Sequence, residues 1–293
     1  MNVLVYDIGG THIKYALINE AHQILEKGSV DTPKKSKEKF VECVKEIYES
    51  FDDIAGIAVS MPGRIDNIRG YAYTSGALLY LDETNMVELF HSFCDVFVAF
   101  DNDGKCAANA EAKLGSLQGI DDAIVLVFGT GIGGGIIKNR AVHRGHHFSA
   151  GEFSFMGSGS GSEGHYFGMD GSVHKMLRIY ARLKNLEPDL VDGHLFFDAY
   201  EAQEMEARQA MDQYCSGVVP YIFNLQFVYD PEVIAIGGGI SSRHVFVEAL
   251  QHHVDAYYEA IPFKLAKPRL IQAAFRNDAN LFGALMNYEE NKQ

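Results

Sequence analysis

A two-lobed α/β fold is what this 293-residue sequence predicts, and three observations carry that expectation. An apolar strand, a Gly-Thr turn and a second strand occur at Met1–Ile18 (MNVLVYDIGGTHIKYALI) and again at Ala123–Val142 (AIVLVFGTGIGGGIIKNRAV). Elsewhere, short runs of β-formers alternate with segments of helical periodicity, the pattern of a layered α/β chain. The length also exceeds that of the usual single domain, yet no linker long enough to separate independent domains interrupts it.

The first strand pair is a hairpin, because the two apolar runs lie too close for a helix between them. From Ser36 to Phe51, Phe40, Val41, Val44 and Ile47 recur at helical spacing among charged residues, with Cys43 on the same side. An amphipathic helix follows from that spacing. Ile54–Asp66 (IAGIAVSMPGRID) reads as a buried strand running into a Pro-Gly turn. Val96–Gly115 reads as a strand whose polar end precedes an Ala-rich helix. Ala150–Gly171 is rich in Gly and Ser without periodicity and predicts loop. Helical patterns dominate Val173–Phe227, and Asp230–Ser241 (DPEVIAIGGGIS) predicts a buried strand, a glycine turn and the approach to another helix. The C-terminal NDANLFGALMNYEENKQ predicts a helix capped by Asn277 or Asp278.

The 39 acidic against 25 basic residues give a formal charge of −14, which disfavours unguided binding to nucleic acid or to an anionic membrane. An anionic nucleotide therefore needs local donors and a metal. The four cysteines, Cys43, Cys94, Cys106 and Cys215, have no CxxC spacing and follow no secretion signal, so they read as reduced, packed thiols. No run reaches the roughly 18 apolar residues of a spanning helix, and the expected location is cytoplasmic.

Four constellations bear on chemistry. In the first, Gly9 and Gly10 allow close backbone approach to phosphate oxygens and Thr11 adds a hydroxyl, while Asp7 at the strand end is placed to orient a hydrated Mg²⁺. Alone, such a turn is more often an ordinary hairpin. The second, Gly129-Thr130-Gly131 with Gly133, Gly134 and Gly135, repeats the device; it is neither a Walker A loop nor a dinucleotide-binding fingerprint. The third is Asp101-Asn102-Asp103, where a carboxylate at a strand end can take a hydroxyl proton and an adjacent amide can fix a sugar. Such a run by itself more often makes a turn. The fourth, Gly237-Gly238-Gly239, offers bare backbone to a flat adenine or ribose, or simple strand-to-helix packing.

In this order the motifs resemble those of the ROK family of bacterial sugar kinases and related repressors, over nearly the whole chain. Asp7–Thr11 resembles its first phosphate motif, Phe128–Gly135 its second, Asp230–Ser241 its adenosine-side motif and Asn277–Ala284 its closing helix. The resemblance implies the actin-like ATPase (ribonuclease H-like) form of an α/β fold, with the active site in the interlobe cleft. It implies a small lobe over residues 1–114 completed by a C-terminal helix, 279–293, and a large lobe over 115–278. It further implies Asp103 as catalytic base and Asn102 as a sugar contact, with Gly63 of the SMPGRID segment beside the sugar and Glu152 bonding sugar hydroxyls. Asp7, Gly9, Gly10, Thr11, Gly129, Thr130, Gly131, Gly238 and Gly239 are the implied nucleotide contacts, with ATP and Mg²⁺ as cofactors.

The resemblance breaks after Gly151-Glu152. Many members continue with Gly-His and a cysteine-rich zinc motif, whereas Ser154 and Phe155 stand here and the region has no cysteine. A structural zinc site needs four spaced thiolate or imidazole ligands, so no structural zinc is expected despite His143, His146, His147 and His165. Glu163 or His165 is the expected substitute for the missing sugar contact. The expected activity is ATP-dependent phosphorylation of a hexose or hexoside primary hydroxyl at C6. AGEFSFM (150–156), SGALLY (75–80) and the missing zinc motif lean toward a β-glucoside over glucose or N-acetylmannosamine. A sugar-responsive repressor is disfavoured by charge and by Asp7 lying almost at the start of the sequence; a non-catalytic sensor is disfavoured by Asp103. The expected partners are the sugar and ATP, with no nucleic acid or membrane, and a homodimer is left open.

Overall fold

In the computed structural model, residues 1–158, 165–275 and 277–292 are described, and they form two compact units. The first comprises Met1–Lys113, Val142–Ala150 and Asp278–Gln293, and the second Leu114–Ala141 and Gly151–Asn277.

The first unit opens with β1 (Asn2–Ile8), β2 (His12–Asn19) and β3 (Ile24–Asp31), followed by α1 (Lys37–Glu49) and β4 (Ile54–Met61). The short strands β5 (Ile65–Asp66), β6 (Tyr71–Ala72) and β7 (Thr84–Asn85) make a small antiparallel sheet leading to α2 (Met86–Phe90), β8 (Val98–Asn102) and α3 (Asp103–Lys113). The main sheet has the order β3-β2-β1-β4-β8, antiparallel across β1, β2 and β3 and parallel across β1, β4 and β8. Tyr6, Phe40, Phe90 and Phe100 fill its core, and the buried Tyr6 hydroxyl donates to the Val44 carbonyl at 2.9 Å. Helix α1 starts where Ser36 caps it, the side chain accepting from the Lys39 amide at 3.3 Å, a contact of about 1 kcal/mol.

The second unit contains β9 (Ala123–Phe128), β10 (Ile132–Lys138) and β11 (Ala141–His143), then the pair β12 (Gly157–Ser158) and β13 (His165–Tyr166). After these come α4 (Phe167–Asp170), α5 (Val173–Lys184), α6 (Gly193–Glu201), α7 (Met205–Tyr229), β14 (Val233–Gly237), α8 (His244–Glu259) and β15 (Leu270–Gln272). Its sheet, β11-β10-β9-β14-β15, repeats the strand order of the first, and β9, β14 and β15 are again parallel. The chain ends in α9 (Ala279–Asn291), which belongs to the first unit and packs on α3, β4 and β8. No helix among the described residues is long and apolar enough to cross a membrane.

Three expectations need adjustment. Asp278 occupies the N-cap position of α9 but makes no capping bond; its carboxylate faces Lys27 Nζ at 3.2 Å instead. The 150–171 stretch is not all loop, since β12, β13 and α4 lie in it. Segment 142–150 keeps company with the first unit, which no local pattern indicated. Cys94, Cys106 and Cys215 are buried free thiols and Cys43 is half-buried.

Candidate active site

Asp103 is the first residue of α3 and directly follows the β8 strand end. Asn102 makes that junction. Its side-chain oxygen accepts from the Lys105 amide at 3.1 Å, capping the helix, while its Nδ2 donates to Asp103 Oδ1 and to the Gly63 carbonyl, both at 2.9 Å. Asp103 Oδ1 also accepts the Gly104 amide at 2.8 Å. A carboxylate in the first turn of a helix sits in the favourable end of the helix dipole. The buried Asn102 thus joins three roles: cap, carboxylate holder and anchor of the Pro-Gly turn.

That turn depends on glycine. Gly63 has φ +103°, and a Cβ there would lie 2.1 Å from the Thr74 carbonyl oxygen, so any side chain meets both strain and collision.

The first glycine hairpin is held from outside. The Gly9 amide donates to the His12 carbonyl at 2.9 Å, the Thr32 hydroxyl donates to the Gly9 carbonyl at 2.7 Å, and the Thr32 amide donates to Thr11 at 2.9 Å. Gly10 lies over Ala77, and Thr11 is exposed. At the end of β1, Asp7 is 8% exposed; its Oδ1 accepts from the Ser60 hydroxyl at 3.1 Å and from Asn280 Nδ2 at 3.0 Å, and Lys14 Nζ lies 3.9 Å from Oδ2. Burial pushes the Asp7 carboxyl above its ordinary pKa, more than Asn280, Lys14 and Ser60 lower it. Folding therefore favours protonated Asp7. The charged form costs stability at pH above the raised folded value, and the cost is absent below the unfolded value, where both states are protonated. Asp7→Asn is expected to raise the thermal midpoint of the ligand-free protein by a few degrees at pH 7. The gain should shrink as the pH falls toward 4, in melts followed by circular dichroism; a lower midpoint at pH 7 contradicts it.

In the second unit, Gly129 donates its amide to the Gly131 carbonyl at 3.0 Å and accepts from the Val173 amide at 3.0 Å, tying the second glycine loop to the start of α5; Thr130 is exposed. Ser154 both accepts from the Ile132 amide and donates to the Ile132 carbonyl, each at 2.9 Å. It clamps the loop. Gly238, with φ +94°, packs so closely on Phe128 that a Cβ would come within 2.1 Å of its carbonyl oxygen. Gly238 and the 129–131 loop are therefore neighbours, and Gly239 follows at the start of a short 3₁₀ turn. Glu152 is half-buried just before the 3₁₀ turn Phe153–Phe155. His165 is exposed on β13, its Nδ1 3.5 Å from Asp170 Oδ1. Burial would raise the Asp170 carboxyl, but hydrogen bonds from Lys175 and Tyr221 outweigh it and hold the pKa low. Glu163 lies outside the described residues.

The first unit contains Asp7, Gly9, Gly10, Thr11, Gly63, Asn102 and Asp103, with Gly63, Asn102 and Asp103 in direct contact, and the second contains Gly129, Thr130, Gly131, Glu152, His165, Gly238 and Gly239. Sequence reasoning missed Ser60, Lys14 and Asn280 around Asp7, Ser154 under the second loop, and Arg144 beside Asp101. The contacts of Ser60, Asn280, Ser154 and Arg144 span long chain separations and leave no local pattern, whereas Lys14 stands opposite Asp7 in the β1–β2 register. Ser60 lay in the segment already placed beside the sugar.

The model of the ROK family matches residues 3–290. A β-glucoside kinase of Listeria monocytogenes is 32% identical over 298 residues, spanning 100% of this chain and 99% of that protein. A ROK family protein of Streptococcus pneumoniae, solved in complex with sucrose, is 28% identical with a TM-score of 0.87 and covers 100% of both chains. A ROK family glucokinase of Streptomyces griseus, solved with glucose and AMPPNP, shares the fold at a TM-score of 0.82 and 21% identity, over 97% of this chain and 98% of that one. The duplicated sheet order, the two glycine hairpins, the Asn102-Asp103 junction and the family match over residues 3–290 agree: the chain belongs to the ROK family and has its actin-like α/β fold.

Proposed function

We propose that this ROK-family sugar kinase transfers the γ-phosphate of ATP to the C6 hydroxyl of a β-glucoside, with Asp103 as the base. The observation that carries the reading is the Asp103 carboxylate, held by Asn102 Nδ2 and the Gly104 amide at the mouth of a helix. A carboxylate so fixed accepts the hydroxyl proton as the sugar oxygen attacks the γ-phosphorus in line, and positioning supplies most of the acceleration. Asn102, Gly63, Glu152 and His165 are the proposed sugar contacts. The backbone of Gly9, Gly10, Gly129, Gly131, Gly238 and Gly239 and the hydroxyls of Thr11 and Thr130 are the proposed nucleotide contacts. Mg²⁺ would neutralise charge on the phosphates; the buried Asp7 carboxylate suits a hard cation reached through its waters, because such cations take oxygen ligands and shed water reluctantly.

C6 carries the primary alcohol of a glucosyl ring, and in a β-glucoside the C1 oxygen is tied up in the glycosidic bond and cannot accept a phosphoryl group in its place. The likeness to a β-glucoside kinase over the full length supports that substrate class. The test is ADP release coupled to a dye assay across cellobiose, methyl β-glucoside, glucose and N-acetylmannosamine, with the product located by phosphorus NMR. Higher kcat/KM for the two β-glucosides, with phosphate on C6, is expected. Preference for a free sugar overturns the substrate class, and absence of any sugar-dependent ADP release overturns the kinase reading.

A further inference from the structure

Arg144 carries no recognised motif, yet its guanidinium is packed against the end of β8, two residues before Asp103. Nε and Nη2 both donate to Asp101 Oδ2, at 3.0 and 2.6 Å, and Nη2 also donates to Asn287 Oδ1 at 3.2 Å. Asp101 is fully buried, and its other oxygen, Oδ1, accepts the backbone N–H of Asn102 at 2.9 Å. Asn287, on α9, donates Nδ2 to the Phe100 carbonyl at 3.2 Å. One connected set of side chains therefore grips the backbone of residues 100–102 at a carbonyl and at an amide. The next residue along is Asp103.

A buried ion pair contributes little net stability, since removing two charges from water costs about what their attraction returns. What it supplies here is geometry. The planar guanidinium puts two N–H groups on one carboxylate oxygen and a further bond on α9, so the end of β8 has one orientation. Asn102 passes that orientation on, because its backbone is held by Asp101 while its side chain holds Asp103 Oδ1.

We infer that Arg144, through Asp101, is a positioning residue for phosphoryl transfer: it aligns the β8 end so that Asn102 presents the Asp103 carboxylate to the sugar hydroxyl. The inference rests on Asp103 being the base. Misplacement of a reacting group by about 1 Å costs on the order of 10²-fold in rate, which sets the expected effect.

The experiment uses the full-length protein with ATP and the sugar turned over fastest in the panel above. Arg144→Ala is expected to lower kcat about 10²-fold while both KM values stay within about threefold. Arg144→Lys, which keeps the charge but lacks the planar fork, should fall between it and the unsubstituted protein. Millimolar methylguanidinium should restore part of kcat to Arg144→Ala in a saturable way, which a loosened fold does not show. If Arg144→Ala does not fold, the double variant D101N/R144M, which leaves no lone buried charge, should carry the same kcat loss. A folded variant with kcat within threefold, a loss confined to KM, or an Arg144→Ala loss that methylguanidinium leaves unchanged overturns the inference. Turnover surviving in Asp103→Asn defeats the base assignment, whereas an inactive Asp103→Asn beside a fully active Arg144→Ala defeats only the role of Arg144.

Discussion

Asp103→Asn is expected to lower kcat by about 10²–10⁴-fold, the range that general-base catalysis supplies. The substitution is nearly isosteric. An asparagine oxygen can still accept from Asn102 Nδ2 and from the Gly104 amide, which now hold Asp103 Oδ1 at 2.9 and 2.8 Å, so the helix start keeps its shape. What disappears is the capacity to take a proton. Titration calorimetry should therefore find ATP affinity within about threefold of the unsubstituted protein, and the melting midpoint should scarcely move. A variant retaining more than a tenth of the turnover would show that another group accepts the proton.

Gly283→Ala is expected to destabilise the protein by about 3 kcal/mol or more, the upper range for overpacking a tight contact. On an exposed helix face the same change gains about 1 kcal/mol from helix propensity, so the sign has to be decided by space. At Gly283 a Cβ would lie 1.7 Å from the Cys106 carbonyl oxygen and 2.2 Å from its carbon. Only separation of α9 from α3 relieves that contact, and both atoms are backbone or Cβ with no rotamer to escape into. The midpoint should drop by several degrees in differential scanning calorimetry, and kcat of the remaining folded enzyme should fall, because α3 begins at Asp103. Gly217→Ala in α7 is the control: a Cβ there meets nothing within 4 Å, so stability should hold or rise. Equal melting of the two variants would show that the helix contact is looser than the geometry states.

The Asp7–Thr11 hairpin and the Asn102-Asp103 junction were legible because each is local. A strand, turn and strand, or a strand followed by a capped helix, is written in consecutive residues and in the change from period 2 to period 3.6. Strand β3 was not legible. Its residues ILEKGSVD are half-buried or exposed throughout, so no apolar alternation marks it, and pairing with β2 makes it a strand. Asp278 is the α9 N-cap residue, one of the two expected, but its capping bond was not legible for a similar reason: Lys27, 251 residues away, draws its carboxylate.

By itself the sequence determined the α/β class, the repeated strand pattern and the family that orders the motifs, since these rest on periodicity and short-range spacing. Tertiary structure alone decided how Asp7 is buried between Ser60 and Asn280, and how Ser154 clamps the second glycine loop. It also decided that Arg144 grips Asp101 from 43 residues away. A side chain's partner across the chain is set by which surfaces meet when the core closes, and residue type limits that choice without making it. The Asp101-Asn102-Asp103 run alone reads as a turn, and Asp103 was singled out as a candidate base only through the ordered family motifs; the side chains that hold it come from the fold.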